Sequence, residues 1–374
     1  MQRTDILAAV MVSLAAVTAH AGSGNENPAD GQLIEQAKHI HDRIVTLDTH
    51  VDFEETLATP EHNPGMRLEN HKVDLVKMRE GGLDGVFFAV WVPQRELTDE
   101  NFREAHEGAM EKFNAVHRMC AAYNADEVEL ATSPGDVRRI KQTGKRIALL
   151  GVENGFSIGE DIANLRYFFD LGARYMTITH IGYNQLGDSS DKRKNMPDRK
   201  YGGLSEFGRE VVREMNRLGM MIDVSHVSRE TFYDIVEISG APVIASHSGC
   251  WSVCDVPRNL DDDQLNALKQ NGGTIQIVGY GGYLKKPGKD ATITDFLDHI
   301  DYAVDLIGID HVGIGSDFDG GGGVPGFNDP SDCMNVTVEL LRRGYSEEDI
   351  EKIWGGNLLR VWSEVTTVSR NLGQ

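Results

Sequence analysis

The chain lacks a basic face. Its 58 Asp and Glu outnumber 37 Lys and Arg, the formal net charge is −21 over 374 residues, and the acidic positions are spread along the chain instead of gathered in a tail. Nucleic acid and anionic membrane are disfavoured as partners, because each requires a cationic surface. Beyond Ala21 no apolar run is long enough to cross a bilayer core of ~30 Å. No G-x-G-x-x-G turn follows the first apolar strand, which argues against a dinucleotide fold. A G-x-S-x-G nucleophile elbow is also absent. The glycine run Gly320–Gly323 is not followed by the Lys-Ser/Thr of a phosphate loop, so it reads as a flexible loop. Cysteine is scarce: Cys120, Cys250, Cys254 and Cys333 allow three pairings, and nothing in the spacing selects one over free buried thiols. There is no internal repeat, low-complexity tract or linker after Gly31.

The amino terminus reads as a targeting segment. Arg3 precedes an apolar run from Ile6 to Val17, followed by Ala19-His20-Ala21, an A-x-A cleavage pattern. The expectation is a signal peptide over 1–21, export to the periplasm or the extracellular space, and a flexible lead-in over 22–31. A single domain is expected over 32–374. Hydrophobic residues make up 40% and charged residues 25%, ordinary globular values that permit a large core.

Short apolar, β-branched segments recur: Ile44–Thr49, Gly85–Trp91, Arg146–Val152, Tyr175–Thr179, Met220–Ser225, Val243–Ser246, Thr274–Val278 and Val312–Ser316. They lack clean alternation, as strands buried on both faces do. Helical stretches lie between them: Asn101–Ala122, Asp161–Leu171, Ser205–Leu218, Arg229–Ile238, Asp261–Gln270 and Thr294–Ile307, with Ser205, Ser228 and Asp261 as N-caps. Strand–helix alternation of this count predicts an α/β fold, a closed (β/α)8 TIM-type barrel. The long loops Gly182–Gly203 and Asp319–Gly326 follow strands and are expected on the catalytic face.

Most of these strands run into a metal-type or acid/base residue: His50 and Asp52, Glu153, His180, His226, His247 and Asp317. A parallel barrel gathers strand C-termini at one mouth, so these groups become neighbours and suggest a metal-centred hydrolase. His50 and Asp52, two apart on a strand, share a face at chelating spacing. Glu153 ends an apolar strand and must be paired or solvated; it is suited either to bridging two ions or to a salt bridge. His226 and His247 end consecutive strands, ~4.8 Å apart, within reach of one ion. A Ser-His nucleophile pair is the competing reading of the Ser-His endings, weakened because adjacent strand residues face opposite ways. Asp317 directly follows the last apolar strand and is placed to take a proton from water; Asp319 is the alternative.

The segments DTHVD, GVENG, TITHIGYN, IDVSHVS, PVIASHS, PRNL, HVGIGSDFDG and GGNLLRVW, in this order from residue 44 to 362, resemble the renal (membrane) dipeptidases, peptidase family M19 of the amidohydrolase superfamily. The resemblance implies two Zn2+ per chain, bridged by Glu153 and a water or hydroxide, with His50 and Asp52 on one ion and His226 and His247 on the other. It further implies that His180 binds substrate and stabilises the oxyanion, that Arg258 in PRNL holds the substrate's C-terminal carboxylate, that Asp317 carries the proton, and that Tyr280 lines the substrate pocket. The substrates implied are dipeptides, with a D-residue tolerated at the C-terminal position; a homodimer is also implied. Thr49, Val51 and Ser316 depart from the usual motif residues without touching an implied ligand. Other barrel hydrolase chemistries (lactonase, deaminase, phosphotriesterase) and a non-catalytic binding barrel stay open on the residues alone.

Overall fold

A computed structural model describes residues 28–373, apart from 195, 196 and 198. The signal peptide expected over 1–21 lies outside the described residues. The expected lead-in is corrected at its end, because the first helix already begins at Pro28 and runs to Arg43.

Among the described residues nine strands form one sheet: β1 (Leu47–Asp52), β2 (Gly85–Trp91), β3 (Val128–Leu130), β4 (Arg146–Glu153), β5 (Ala173–Thr177), β6 (Met221–Asp223), β7 (Ile244–Ser248), β8 (Thr274–Val278) and β9 (Val312–Gly315). The order is β1-β2-β4-β5-β6-β7-β8-β9, every pairing is parallel, and β3 sits outside the path on β4. The eight strands of the path form the expected (β/α)8 TIM-type barrel, nearly closed. Closure between β9 and β1 falls at the mouth: Val51 bridges Phe318, the Asp317 N–H donates to the His50 carbonyl at 2.9 Å, and the Asp52 N–H donates to the Phe318 carbonyl at 2.8 Å.

Two apolar clusters separate by strand parity. Leu47, Phe87, Ile147, Leu149, Tyr175, Met221 and Ile244 pack inside the barrel with Leu358, Val361 and Trp362 of the helix Asn357–Leu372, which closes its bottom. Their strand neighbours Val86, Phe88, Ala148, Leu150, Met176, Ile222 and Ala245 join the larger cluster beneath the outer helices. This period-2 division is what a strand buried on both faces requires. Two glycines make room in the interior. A Cβ on Gly151 would lie 2.0 Å from Cζ of Tyr175, and one on Gly315 would lie 1.9 Å from the Ser246 carbonyl oxygen.

The expected caps are found. Ser205 accepts from the Gly208 N–H, Ser228 from the Thr231 N–H, and Asp261 forms a reciprocal capping box with Gln264. Several strands need correction. The first begins three residues later than expected, so His50 and Asp52 lie within it; the fourth is shifted two residues earlier; the fifth is shorter; and β7 runs on through His247 to Ser248. β3 and the helices Leu75–Glu80, Pro134–Thr143, Cys333–Arg342 and Asn357–Leu372 were not anticipated. β3 has three residues and one partner strand, too little pattern to read from sequence. All four cysteines are free thiols.

The close approach at Gly315 gives a test. Gly315→Ala must push β9 away from β7, and we expect a loss of about 1–3 kcal/mol of stability by urea denaturation; an unchanged midpoint would show that the barrel yields without cost.

Candidate metal centre

The groups at the barrel mouth are aimed inward by local departures from strand geometry. On β1, Leu47 points into the barrel, and strict alternation would carry Thr49 and Val51 with it. The β1–β2 register shifts between Asp48 and Val51, Val51 joins the outer cluster, and His50 and Asp52 turn inward. β7 repeats the device: its register shifts between Ala245 and Ser248, which brings His247 to the inside. His226 lies three residues past the end of β6 and turns inward from φ 67°; Asp317, just past β9, has φ 63°. Histidine and aspartate tolerate the left-handed region better than most residues, at a cost of about 1–2 kcal/mol.

Glu153 occupies the centre and is buried. Its Oε2 lies 3.4 Å from Nε2 of His50, whereas its Oε1 lies 3.1 Å from Nε2 of His226, 3.4 Å from Nε2 of His247 and 3.8 Å from Nε2 of His180. The His226 and His247 Nε2 atoms are 3.0 Å apart. Two sets of ligand-type atoms lie within 4.8 Å of one another, His50/Glu153/His247 and Glu153/His180/His226, with Glu153 common to both. Asp52 is at the same mouth. A Cβ on Gly320 would lie 2.4 Å from Oδ1 of Asp317 and 2.7 Å from Oδ2 of Asp52, so the two carboxylates face one spot. His50 Nε2 and Asp52 Oδ1 are buried with no hydrogen-bond partner.

The electrostatics follow from burial and crowding. Burial alone would raise the Glu153 carboxyl, but the neighbouring imidazoles, His50 first and then His180, hold it well below the usual carboxylate range. Burial opposes a charged His50, yet the Glu153 carboxylate overrides it and pushes the imidazole to about 9. Burial, with Arg258 and a neighbouring imidazole, drives His226 and His247 well below the ordinary histidine value and leaves them neutral. Burial and the nearby Glu153 carboxylate push Asp52 up to about 6; burial raises Asp317 well above its ordinary value.

The neutral imidazoles of His226 and His247, the ionised Glu153 carboxylate, and the buried, unpartnered Asp52 Oδ1 and His50 Nε2, whose proton a cation would displace, form a donor set that fits borderline cations such as zinc. The residues behind the ligands fit as well. Buried Asp223 accepts from the Ser246 hydroxyl at 2.6 Å, the Ser246 N–H at 2.8 Å and the Ser225 N–H at 2.9 Å. Because the Ser246 proton goes to Asp223, Ser246 Oγ accepts from Nδ1–H of His247 at 2.8 Å, which leaves the His247 Nε2 lone pair facing Glu153. His50 Nδ1 is hydrogen-bonded to the Tyr175 hydroxyl at 2.8 Å. Asp48 accepts from the backbone N–H groups of His50 at 3.1 Å and Ser316 at 2.9 Å, tying β1 to β9.

Two cavities meet here. One of about 350 Å3 opens over the centre and is lined by Asp52, Glu153, His180, His226, His247 and Asp317, with Trp91 and Tyr280 on its walls. A second, of about 420 Å3, shares His226 with it and contains Arg258, Ser190 and Trp251. Arg258 is only 2% exposed; it donates through Nη1 to Ser248 Oγ and through Nη2 to the His247 carbonyl, both at 2.7 Å, and its Nε has no partner. The seven strand-end residues singled out from the sequence therefore converge, and Tyr280 joins them, whereas Arg258 borders the adjoining cavity. Sequence reasoning missed Trp91, Tyr175, Asp223 and Asp48. A buried Asp inside an apolar strand, as at Asp223, was a legible signal; an aromatic at a strand end was not.

Residues 34–374 match the model of the family described as membrane dipeptidase, peptidase family M19. Dipeptidase 3 of Mus musculus is 36% identical over 353 residues, covering 92% of this chain and 70% of its own length. The crystal structure of the probable dipeptidase PvdM from Pseudomonas aeruginosa aligns with a TM-score of 0.85 at 31% identity, over 90% of this chain and 99% of that one. A metallopeptidase from Rhodobacter sphaeroides, liganded with a phosphinate mimic of the dipeptide L-Ala-D-Ala, aligns with a TM-score of 0.77 at 26% identity, over 86% and 99% of the two chains.

The Tyr175 hydroxyl provides a test of the support behind the centre. Tyr175→Phe keeps the ring that fills the barrel and removes the partner of His50 Nδ1. Zinc affinity, measured by chelator competition, should fall about 10–100-fold with the fold retained; an unchanged affinity would mean that His50 is oriented by packing alone.

Proposed function

The chain belongs to the membrane dipeptidase family, peptidase family M19, and on that premise we propose that it is a zinc-dependent dipeptidase whose substrates carry a free C-terminal carboxylate and may end in a D-residue. The observation that carries the reading is the division of Glu153: one oxygen faces His50, the other faces His226 and His247. In this reading His50 and Asp52 would hold one ion, His226 and His247 would hold the second, and Glu153 would serve both. When bound, zinc supplies Lewis acidity, lowering the pKa of a water it holds and polarising the scissile carbonyl.

The remaining work falls to side chains. His180 borders the same cavity with its Nε2 3.8 Å from Glu153 Oε1, placed to donate to a carbonyl oxygen as negative charge develops on it. Asp317, with its side chain 13% exposed and 4.0 Å from His50 Nε2, is the group that takes the proton of the attacking water and returns it to the leaving amine. Burial raises its proton affinity, which suits a carboxylate that must accept a proton and release it within one turnover. Arg258 supplies fixed positive charge beside the centre, and its unpartnered Nε is available to a carboxylate in the adjoining cavity. In this reading a carboxylate bound there lies one residue beyond the scissile bond, which limits the substrate to dipeptides. The Rhodobacter sphaeroides relative carries a mimic of a dipeptide that ends in D-alanine, which supports tolerance of that stereochemistry.

A panel of dipeptides with L- and D-residues at each position, together with C-terminal amides, lactones and phosphotriesters, tests the reading on zinc-loaded protein. Free dipeptides should be turned over in preference to the other classes. Arg258→Ala should raise KM for dipeptides and leave amides little affected; equal losses on both would remove the carboxylate role. Separately, Asp317→Asn should lower kcat by about 10²–10⁴-fold while two zinc ions per chain are retained. A variant turning over at the parent rate would rule out Asp317 as the proton carrier.

A further inference from the structure

We infer that Trp91 is a positioning residue that fixes His180 as a hydrogen-bond donor at Nε2 and keeps that nitrogen out of metal coordination. The inference deepens the proposed role of His180 and rests on it.

Distance alone would make His180 a ligand, since it groups with Glu153 and His226 within 4.8 Å. The partners of the Nδ1 atoms separate His180 from His247 and His50, while Nδ1 of His226 has none. His247 Nδ1 meets a serine hydroxyl whose proton goes to Asp223, and His50 Nδ1 meets a tyrosine hydroxyl. A hydroxyl can accept from Nδ1–H, and the ring then turns a bare Nε2 toward a metal. His180 Nδ1 instead receives the indole N–H of Trp91 at 3.4 Å. Indole is a donor and never an acceptor, so Nδ1 must be the bare nitrogen and, in the neutral ring, the proton sits on Nε2. A protonated Nε2 has no lone pair for a metal, but it can donate to an oxygen that is gaining charge.

Trp91 is held for this task. It is the last residue of β2 and stands in register with Glu153 on β4. Its ring meets His180 edge-on at 5.7 Å between centroids with an interplanar angle of 73°. The Lys112 ammonium lies 5.7 Å from the centre of the same ring and is itself anchored on the Phe53 carbonyl at 2.8 Å. The indole thus forms the wall between the metal cavity and a neighbouring cavity of about 230 Å3, with its N–H turned to the metal side.

Trp91→Phe keeps an aromatic wall and removes the N–H. On zinc-loaded protein with the best dipeptide of the panel, kcat should fall about tenfold, KM should stay within about twofold, and zinc per chain should not change. In a His180→Ala background the same substitution should cost nothing further. A Trp91→Phe kcat equal to the parent's, or an equal loss with His180 absent, would overturn the inference. The ring tautomer supplies a readout independent of turnover and of the variant's folding. Long-range 15N–1H correlation of the histidine-labelled parent, with His180 assigned by its loss in His180→Ala, should show a bare Nδ1 and a protonated Nε2; the opposite tautomer refutes the role of Trp91. A parent that hydrolyses no dipeptide yet shows the expected tautomer counts against the proposed function and for the positioning.

Discussion

A carboxylate at the end of an apolar strand, closed in by four imidazoles, constrains everything around it. Glu153 has no solvent to stabilise its charge, and an isolated buried carboxylate would protonate or destabilise the fold by several kcal/mol. It stays ionised because His50 approaches one oxygen while His180, His226 and His247 approach the other. The same geometry defines the centre chemically: one carboxylate offers an oxygen to each of two neighbouring sites. The imidazoles in turn need orientation, which Asp223 supplies to His247 through Ser246, and Tyr175 supplies to His50.

The barrel accommodates this cluster by giving up regular strand geometry where the ligands sit. Inside the barrel the period-2 pattern holds from Leu47 through Phe87, Leu149 and Tyr175, and these side chains form an apolar cluster with the helix Asn357–Leu372. At the mouth, register shifts on β1 and β7 and a left-handed residue at His226 bring side chains inward that alternation would have sent elsewhere. Closure of the sheet uses the same segment: the backbone bonds joining β9 to β1 run between His50, Asp52, Asp317 and Phe318. A change that loosened closure would therefore also move two ligand-type side chains and the proposed proton carrier. Interiors are bistable and not freely deformable, so strain at the closure is transmitted to the centre instead of being absorbed.

The fold was legible because strands buried on both faces leave short β-branched runs, and the helices between them begin with caps that form as expected at Ser205, Ser228 and Asp261. The centre was legible because its residues stand at the ends of those runs, and the order of motifs narrowed the family. The bulge at β1 was not legible: H-x-D spacing places His50 and Asp52 on one face but does not say which face, and an insertion in the hydrogen-bond ladder leaves no mark in composition. Nothing in the sequence separates Tyr175 and Trp91 from core aromatics, since a hydroxyl or indole N–H becomes informative only when its partner is known. Arg258 borders the cavity that adjoins the centre, with its two Nη atoms on Ser248 and His247, an arrangement that no local pattern in the sequence announces.

The amino-acid sequence by itself determined the barrel, the acidic balance of the chain, and the set of imidazoles and carboxylates at the strand ends, because each depends on residue type and on position relative to a local period. Tertiary structure alone decided which oxygen of Glu153 meets which imidazole, which ring nitrogen each histidine presents, and that Trp91 stands beside His180. Those relations depend on the orientation of atoms contributed by strands far apart in sequence, and hydrogen-bond direction exists only once donor and acceptor are brought together.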